Sequence, residues 1–121
     1  MGKGTEMGTL TEATRENFRE LVAEGTTLVD VWGPDCQPCL VMMPFIERMA
    51  AEREEQFKVV KLEAPKARRL CMELRLMGLP AFVLFRDGEE IGRIAGAALT
   101  ESKVEQWVND TLAAGAGVGK E

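Results

Sequence analysis

The stretch Trp32-Gly33-Pro34-Asp35-Cys36-Gln37-Pro38-Cys39 limits this chain's choices more than any other. Two cysteines stand at i and i+3, after an apolar run and at the head of a long helical pattern. Thiols so spaced on a first helical turn approach closely enough to close a disulfide and reopen it with little backbone change. A helix N-terminus carries roughly half a positive charge, which favours the thiolate of the first cysteine. Beside a strand–helix–strand pattern, this spacing reads first as a redox pair. The competing readings are a structural pair or half a metal site. Tetrahedral zinc takes four ligands. The chain has no histidine, and its third cysteine, Cys71, falls in another helical segment. A single chain therefore falls short, although a dimer could hold a metal or an iron–sulfur cluster through two Cys36/Cys39 pairs.

The surrounding pattern supplies the frame. Thr11 to Glu24 reads as a helix with Phe18, Leu21 and Val22 on one face, Thr11 or Thr14 at its start and Gly25 at its end. A short edge strand near Leu10 is the one further element expected before it. Thr27 to Trp32 is a near-continuous apolar run with a single acid, Asp30, and reads as a strand buried on both faces. Cys36 to Arg53 continues as a helix, apolar over much of its girth, with Pro44 predicting a kink. Phe57 to Leu62 is the next strand, and Lys66 to Leu76 a third helix with Leu70 and Leu74 inward. Ala81 to Phe85 and Glu90 to Ile94 flank Asp87-Gly88, a hairpin signal. Thr100 to Leu112 is the last helix, with Val104, Trp107 and Val108 on one face. A strand–helix–strand unit crosses right-handedly into a parallel pair, and a hairpin is antiparallel. The expected fold class is therefore α/β, with a central mixed sheet and helices on both faces. Residues 10–114 form the domain, and residues 1–9 and 115–121 are expected to be flexible tails.

Bulk properties exclude several classes. With 15 Lys+Arg against 20 Asp+Glu, the net charge of −5 argues against nucleic acid or an anionic membrane as partner. No secretory h-region opens the chain, and no apolar run approaches the roughly 20 residues of a membrane span. The expected address is cytoplasmic.

In order and spacing, the chain resembles the thioredoxin family. The likeness covers roughly residues 10 to 113. It rests on Val29-Asp30-Val31-Trp32 running into C-x-P-C, Pro44 inside the helix and Lys61 on the next strand. Gly78-Leu79-Pro80 before Phe82-Val83-Leu84-Phe85, then Asp87-Gly88 and Gly96 before the last helix, complete it. The resemblance implies a thioredoxin fold and thiol–disulfide exchange without a cofactor or metal. Cys36 would attack, Cys39 would be the buried resolving thiol, Asp30 would manage its proton and Lys61 would pair with Asp30. Pro80 would be a cis proline whose loop, with Leu79, offers backbone hydrogen bonds to an extended client. Trp32 would pack under the active-site loop, and Gly33, Pro34, Asp35, Gln37, Pro38 and Gly96 would complete the client surface. The implied partners are protein disulfides and a thioredoxin-reductase-type electron donor, met by a monomer. Physics supports Asp30 independently, because an acid inside an apolar strand is expensive unless protonated or paired.

The chain departs from the family pattern around the thiols. Asp35 stands where tryptophan is usual, Gln37 where glycine is, Leu40 where a basic residue is, and Ala81 where threonine often follows the cis proline. A carboxylate about 5–7 Å from a thiolate repels it by roughly 1–3 kcal/mol. Helix-end attraction is worth about 0.3–2 kcal/mol. Asp35 is thus expected to offset much of the activation of Cys36 and make the chain a stronger reductant, unless it caps the helix instead. Leu40, Val41 and Met42 form an apolar patch near the thiols and suggest a restricted client or reductase set. Cys71 reads as an inert buried thiol, the methionines mostly as core filler or tail, and Lys66, Arg68, Arg69 and Arg75 as a solvated helical face.

Overall fold

The computed structural model describes residues 10–118, with side chains through residue 114. The expected tail over residues 1–9 lies outside the described residues. The elements are β1 (Leu10–Ala13), α1 (Phe18–Leu21), β2 (Thr26–Trp32), α2 (Gln37–Glu52) and β3 (Lys58–Glu63). A 3-10 turn (Ala64–Lys66), α3 (Arg68–Glu73), β4 (Ala81–Arg86), β5 (Glu89–Ala95) and α4 (Glu101–Val118) follow. One five-stranded sheet runs β1-β3-β2-β4-β5. Both β1 and β2 lie parallel to β3, while β2–β4 and β4–β5 are antiparallel. The mixed sheet expected from the element order is the one observed.

Helices cover both faces because β2 is apolar on both sides. Val29 and Val31 face Phe18, Val22 and Leu70, from the α1 and α3 side. Leu28, with Val59, Phe82 and Leu84, faces Met42, Phe45, Ile46 and Met49 of α2 and Val104 and Val108 of α4. Each such large side chain removed from water contributes about 1.5–3 kcal/mol. Phe18 also meets Phe85 edge-on, with ring centroids 5.5 Å apart. Asp87 and Gly88 both take positive φ, 51° and 88°, the backbone that a tight two-residue hairpin turn requires.

Three boundaries differ from the sequence reading. The helix expected over Thr11–Glu24 is mostly something else: Leu10–Ala13 is an edge strand on β3, and only Phe18–Leu21 is helical. A reciprocal side-chain turn separates the two. Thr14 N–H donates to Asn17 Oδ1 at 2.6 Å, and Asn17 N–H donates to Thr14 Oγ1 at 3.1 Å. The third helix is shortened at both ends. Ala64–Lys66 forms a 3-10 turn and Ala67, at φ −139° and ψ 46°, leaves helical geometry before Arg68, while Arg75, at φ 58°, closes the helix. The Leu76 N–H donates to Cys71 O at 2.9 Å across that residue, the bond that usually requires glycine at the left-handed position. Arg93 of β5 secures this end. Its guanidinium donates to Arg75 O at 2.9 Å and Leu74 O at 2.7 Å while pairing with Glu90 at 2.6 Å. The last helix continues past Leu112 to Val118, so residues 115–118, expected as tail, are helical; residues 119–121 lie outside the described residues.

Candidate active site

Strand β2 delivers the site. It ends at Trp32, and Gly33 O accepts from Cys36 N–H at 3.1 Å, folding Gly33–Cys36 into a turn. Cys36 then takes extended backbone angles and becomes the N-cap of α2, its Sγ accepting from Cys39 N–H at 3.2 Å. Pro38 stands in the first turn, where its missing N–H costs nothing. Cys36 and Cys39 are joined as a disulfide with Cα atoms 5.3 Å apart. Cys36 is half-buried and Cys39 only 3% exposed. An incoming thiol or disulfide therefore meets Cys36 first.

Asp30 lies on the sheet face that α2 covers, in line with Leu28, and is 2% exposed. Burial pushes its carboxyl up to about 7 from 3.8, and the Lys61 ammonium pulls against that rise. The register sets Asp30 opposite Lys61. The two form no direct ion pair among the described residues. Instead Lys61 Nζ rests over the Trp32 ring, 5.4 Å from its centroid. An acid held near neutrality in a buried strand is suited to exchange a proton at neutral pH.

The second wall of the site is the Leu79-Pro80 loop. That peptide bond is cis, as the resemblance implies. Pro80 is buried, and its carbonyl accepts from Gly96 N–H at 3.0 Å, which brings Gly96 and Pro80 together. Gly33 has a packing reason to lack a side chain: a Cβ there would stand 3.3 Å from Leu79 Cδ1 and 3.8 Å from Pro65 Cδ. Trp32 is half-buried, and its indole N–H, buried, finds no partner among the described residues. Pro34, Asp35 and Gln37 are exposed and Pro38 is half-buried around the disulfide. Asp35 is not the helix cap, since Cys36 holds that place.

One expectation about the rim needs correction. Met42 is not part of an exposed patch, being 5% exposed and packed in the core against Phe45 and Ile46. Leu40 and Val41 do face solvent, at 38% and 71%. Of the methionines, Met42 and Met49 lie in the core, whereas Met72 and Met77 are 75% and 91% exposed. Leu99 and Glu101, at the start of α4, were not legible as site residues. They line a recess of about 440 Å³ with Pro38 and Val41, and nothing in their local pattern points to their neighbour α2. Cys71 is half-buried against the core, and burial pushes its thiol up, which disfavours the reactive thiolate. Among the described residues no group of three or more Cys, Asp or Glu is placed to hold a metal, and the sulfurs of the Cys36–Cys39 pair are bonded to each other. No helix among the described residues is long and apolar enough to cross a membrane.

Comparison with known proteins agrees with this geometry. The thioredoxin family model matches residues 9–110. A thioredoxin of Acetoanaerobium sticklandii is 35% identical over 99 residues, covering 80% of this chain and 94% of that protein. Thioredoxin C-2 of Corynebacterium nephridii is 30% identical, covering 86% and 97%. The oxidised form of mitochondrial thioredoxin 3 from Saccharomyces cerevisiae superposes with a TM-score of 0.75 at 25% identity, covering 86% of this chain and 97% of that one. A closed Cys36–Cys39 pair on this fold, matched along nearly all of its described length, is a thiol–disulfide oxidoreductase centre, and the chain belongs to the thioredoxin family.

Proposed function

We propose that the chain works as a reductant of client proteins, with Cys36 attacking, Cys39 resolving and Asp30 holding the proton in transit. The observation that carries this reading is the asymmetry of the pair, Cys36 reachable and Cys39 covered, and the strand that leads into it holds a buried carboxyl poised near neutrality. In the first step the Cys36 thiolate bonds one sulfur of a client disulfide and the other leaves as thiolate. In the second, the Cys39 proton passes to Asp30 and the Cys39 thiolate attacks Cys36 Sγ. The Cys36–Cys39 bond forms, and the client's remaining sulfur leaves and takes a proton. The client gains two electrons, and its two sulfurs take up two protons, matching the one Cys36 gave to solvent on forming its thiolate and the one Cys39 gave up through Asp30; the chain is left in the oxidised form described above. A reductase of the thioredoxin-reductase type then restores the dithiol. Lys61 tunes Asp30 from its seat on Trp32, and the exposed rim of Pro34, Asp35, Gln37 and Pro38, with Leu79, Pro80 and Gly96, receives the extended client. Such a reductant works where thiols are kept reduced, and the cytoplasm is that compartment. The exposed large apolar side chains among the described residues are four, too few for an obligate interface, which favours a monomer.

Insulin reduction in the presence of dithiothreitol tests the reading. The wild type should accelerate precipitation, and Cys36→Ser should not. Thioredoxin itself, the family's reference protein, has a potential of about −270 mV. This chain should lie at or below that value, and a potential near about −120 mV, that of an oxidant, would overturn the direction of electron flow.

Asp35 gives a second expectation. Exposed and adjacent to Cys36, its carboxylate opposes the thiolate through screened solvent. Asp35→Asn should therefore speed alkylation of Cys36 at neutral pH by about two- to fivefold, the size of a repulsion near 1 kcal/mol or below. An unchanged rate would remove Asp35 from the control of Cys36.

A further inference from the structure

Helix α3 carries an outer face that thiol chemistry does not use. At about 100° per residue, Met72 falls between Arg68 and Arg69 on the side opposite the buried Leu70. Arg68 and Arg69 are exposed, and so are Arg75 and Met77 in the turn that leaves the helix. Among the described residues none of these three guanidiniums has a carboxylate partner, whereas Arg19, Arg48, Lys66 and Arg93 each have one. Three unpaired cations stand together in a chain of net charge −5, interleaved with two thioethers 75% and 91% exposed. The segment is continuous with the rim of the active site at both ends. It departs from Pro65 and returns at Leu79, and both of these side chains abut Gly33.

We propose that Arg68, Arg69 and Met72, with Arg75 and Met77, form a docking surface for an acidic client segment that carries an apolar residue among its carboxylates. The proposal rests on the reductant reading above, because the surface would hold the client beside the disulfide that Cys36 attacks. Guanidinium forks match carboxylates, and the unbranched thioether adapts to varied apolar side chains. Acidic protein is favoured over nucleic acid because no aromatic side chain stands among the cations to stack a base, whereas two exposed thioethers offer an apolar side chain a contact.

The test uses two peptides with the same internal disulfide, one flanked by glutamates and a leucine, the other by lysines and a leucine. At about 0.01 M salt the acidic peptide should be reduced about tenfold faster, and at about 1 M the preference should vanish. The double variant Arg68→Glu, Arg69→Glu should reverse the preference while reducing hydroxyethyl disulfide at the wild-type rate. Met72→Ser with Met77→Ser should lower kcat/KM for the acidic peptide at both salt concentrations. A fluorescent acidic peptide without cysteines, followed by anisotropy, reads the surface independently of the thiols. Should it bind while no disulfide is reduced, the surface stands and the reductant reading fails. Equal rates for the two peptides at low salt, or a preference intact in the double variant, would overturn the proposal. So would a single-stranded oligonucleotide that displaces the fluorescent peptide better than polyglutamate does.

Discussion

Asp30→Leu should make the oxidised protein more stable, by about 4 kcal/mol near pH 8 and by little near pH 4. The carboxyl is 2% exposed and its pKa stands at about 7 against 3.8 for an unperturbed side chain. A shift of about three units, at about 1.4 kcal/mol each, sets the size. The direction follows from proton binding. Below pH 3.8 the group is protonated in both folded and unfolded chains and costs nothing as a charge. As the pH rises, the unfolded chain ionises first, and stability falls until the folded group ionises too, at about 7. Leucine removes that slope, so urea denaturation at the two pH values reads the effect directly. A variant less stable than the wild type at both, or a wild type with no loss between them, would remove Asp30 from this account. The same substitution should cost activity. Without its proton acceptor, the resolving step at neutral pH should slow by about 10²- to 10⁴-fold, and the deficit should shrink as the pH approaches the ordinary thiol range. Stabilisation together with a pH-dependent loss of turnover is not what a merely structural carboxylate gives.

Cys39→Ser should turn a catalyst into a trap. Cys36 still attacks, but a serine hydroxyl does not displace a thiolate from the mixed disulfide. Turnover should drop to the background of the added thiol. A client should remain bound to Cys36, visible as a summed mass that dithiothreitol dissolves. Cys36→Ser should capture nothing, since Cys39 is 3% exposed beneath it. The reverse pattern, capture by Cys39 and turnover without Cys36, would exchange the two roles.

The pieces legible in the sequence were those whose chemistry is local. The C-x-P-C spacing places two sulfurs on one helical turn wherever the helix goes, and the structure closes them into a disulfide. Asp30 was recognisable as anomalous because an acid in an apolar run demands a reason. The hairpin at Asp87-Gly88 announced itself through residues that tolerate positive φ. What escaped was decided at a distance. Thr11–Ala13 has no strand alternation of its own and becomes a strand because β3 offers it a ladder of backbone partners. The α3 helix stops early through a left-handed arginine, which no propensity favours and which the remote Arg93 supports. Leu99 reaches the site only because α4 lies on the same sheet face as α2.

The fork of Arg93 also ties the rim of the site to the edge of the sheet. It belongs to the outermost strand, yet it grips the two carbonyls from which the chain turns toward Leu79 and Pro80. The lip of the cleft is thus moored from the far margin of the sheet. A lineage could adjust how firmly that lip is held, and so which partners it welcomes, by drifting at position 93 or at its anchor Glu90, leaving every atom around the sulfurs as it was.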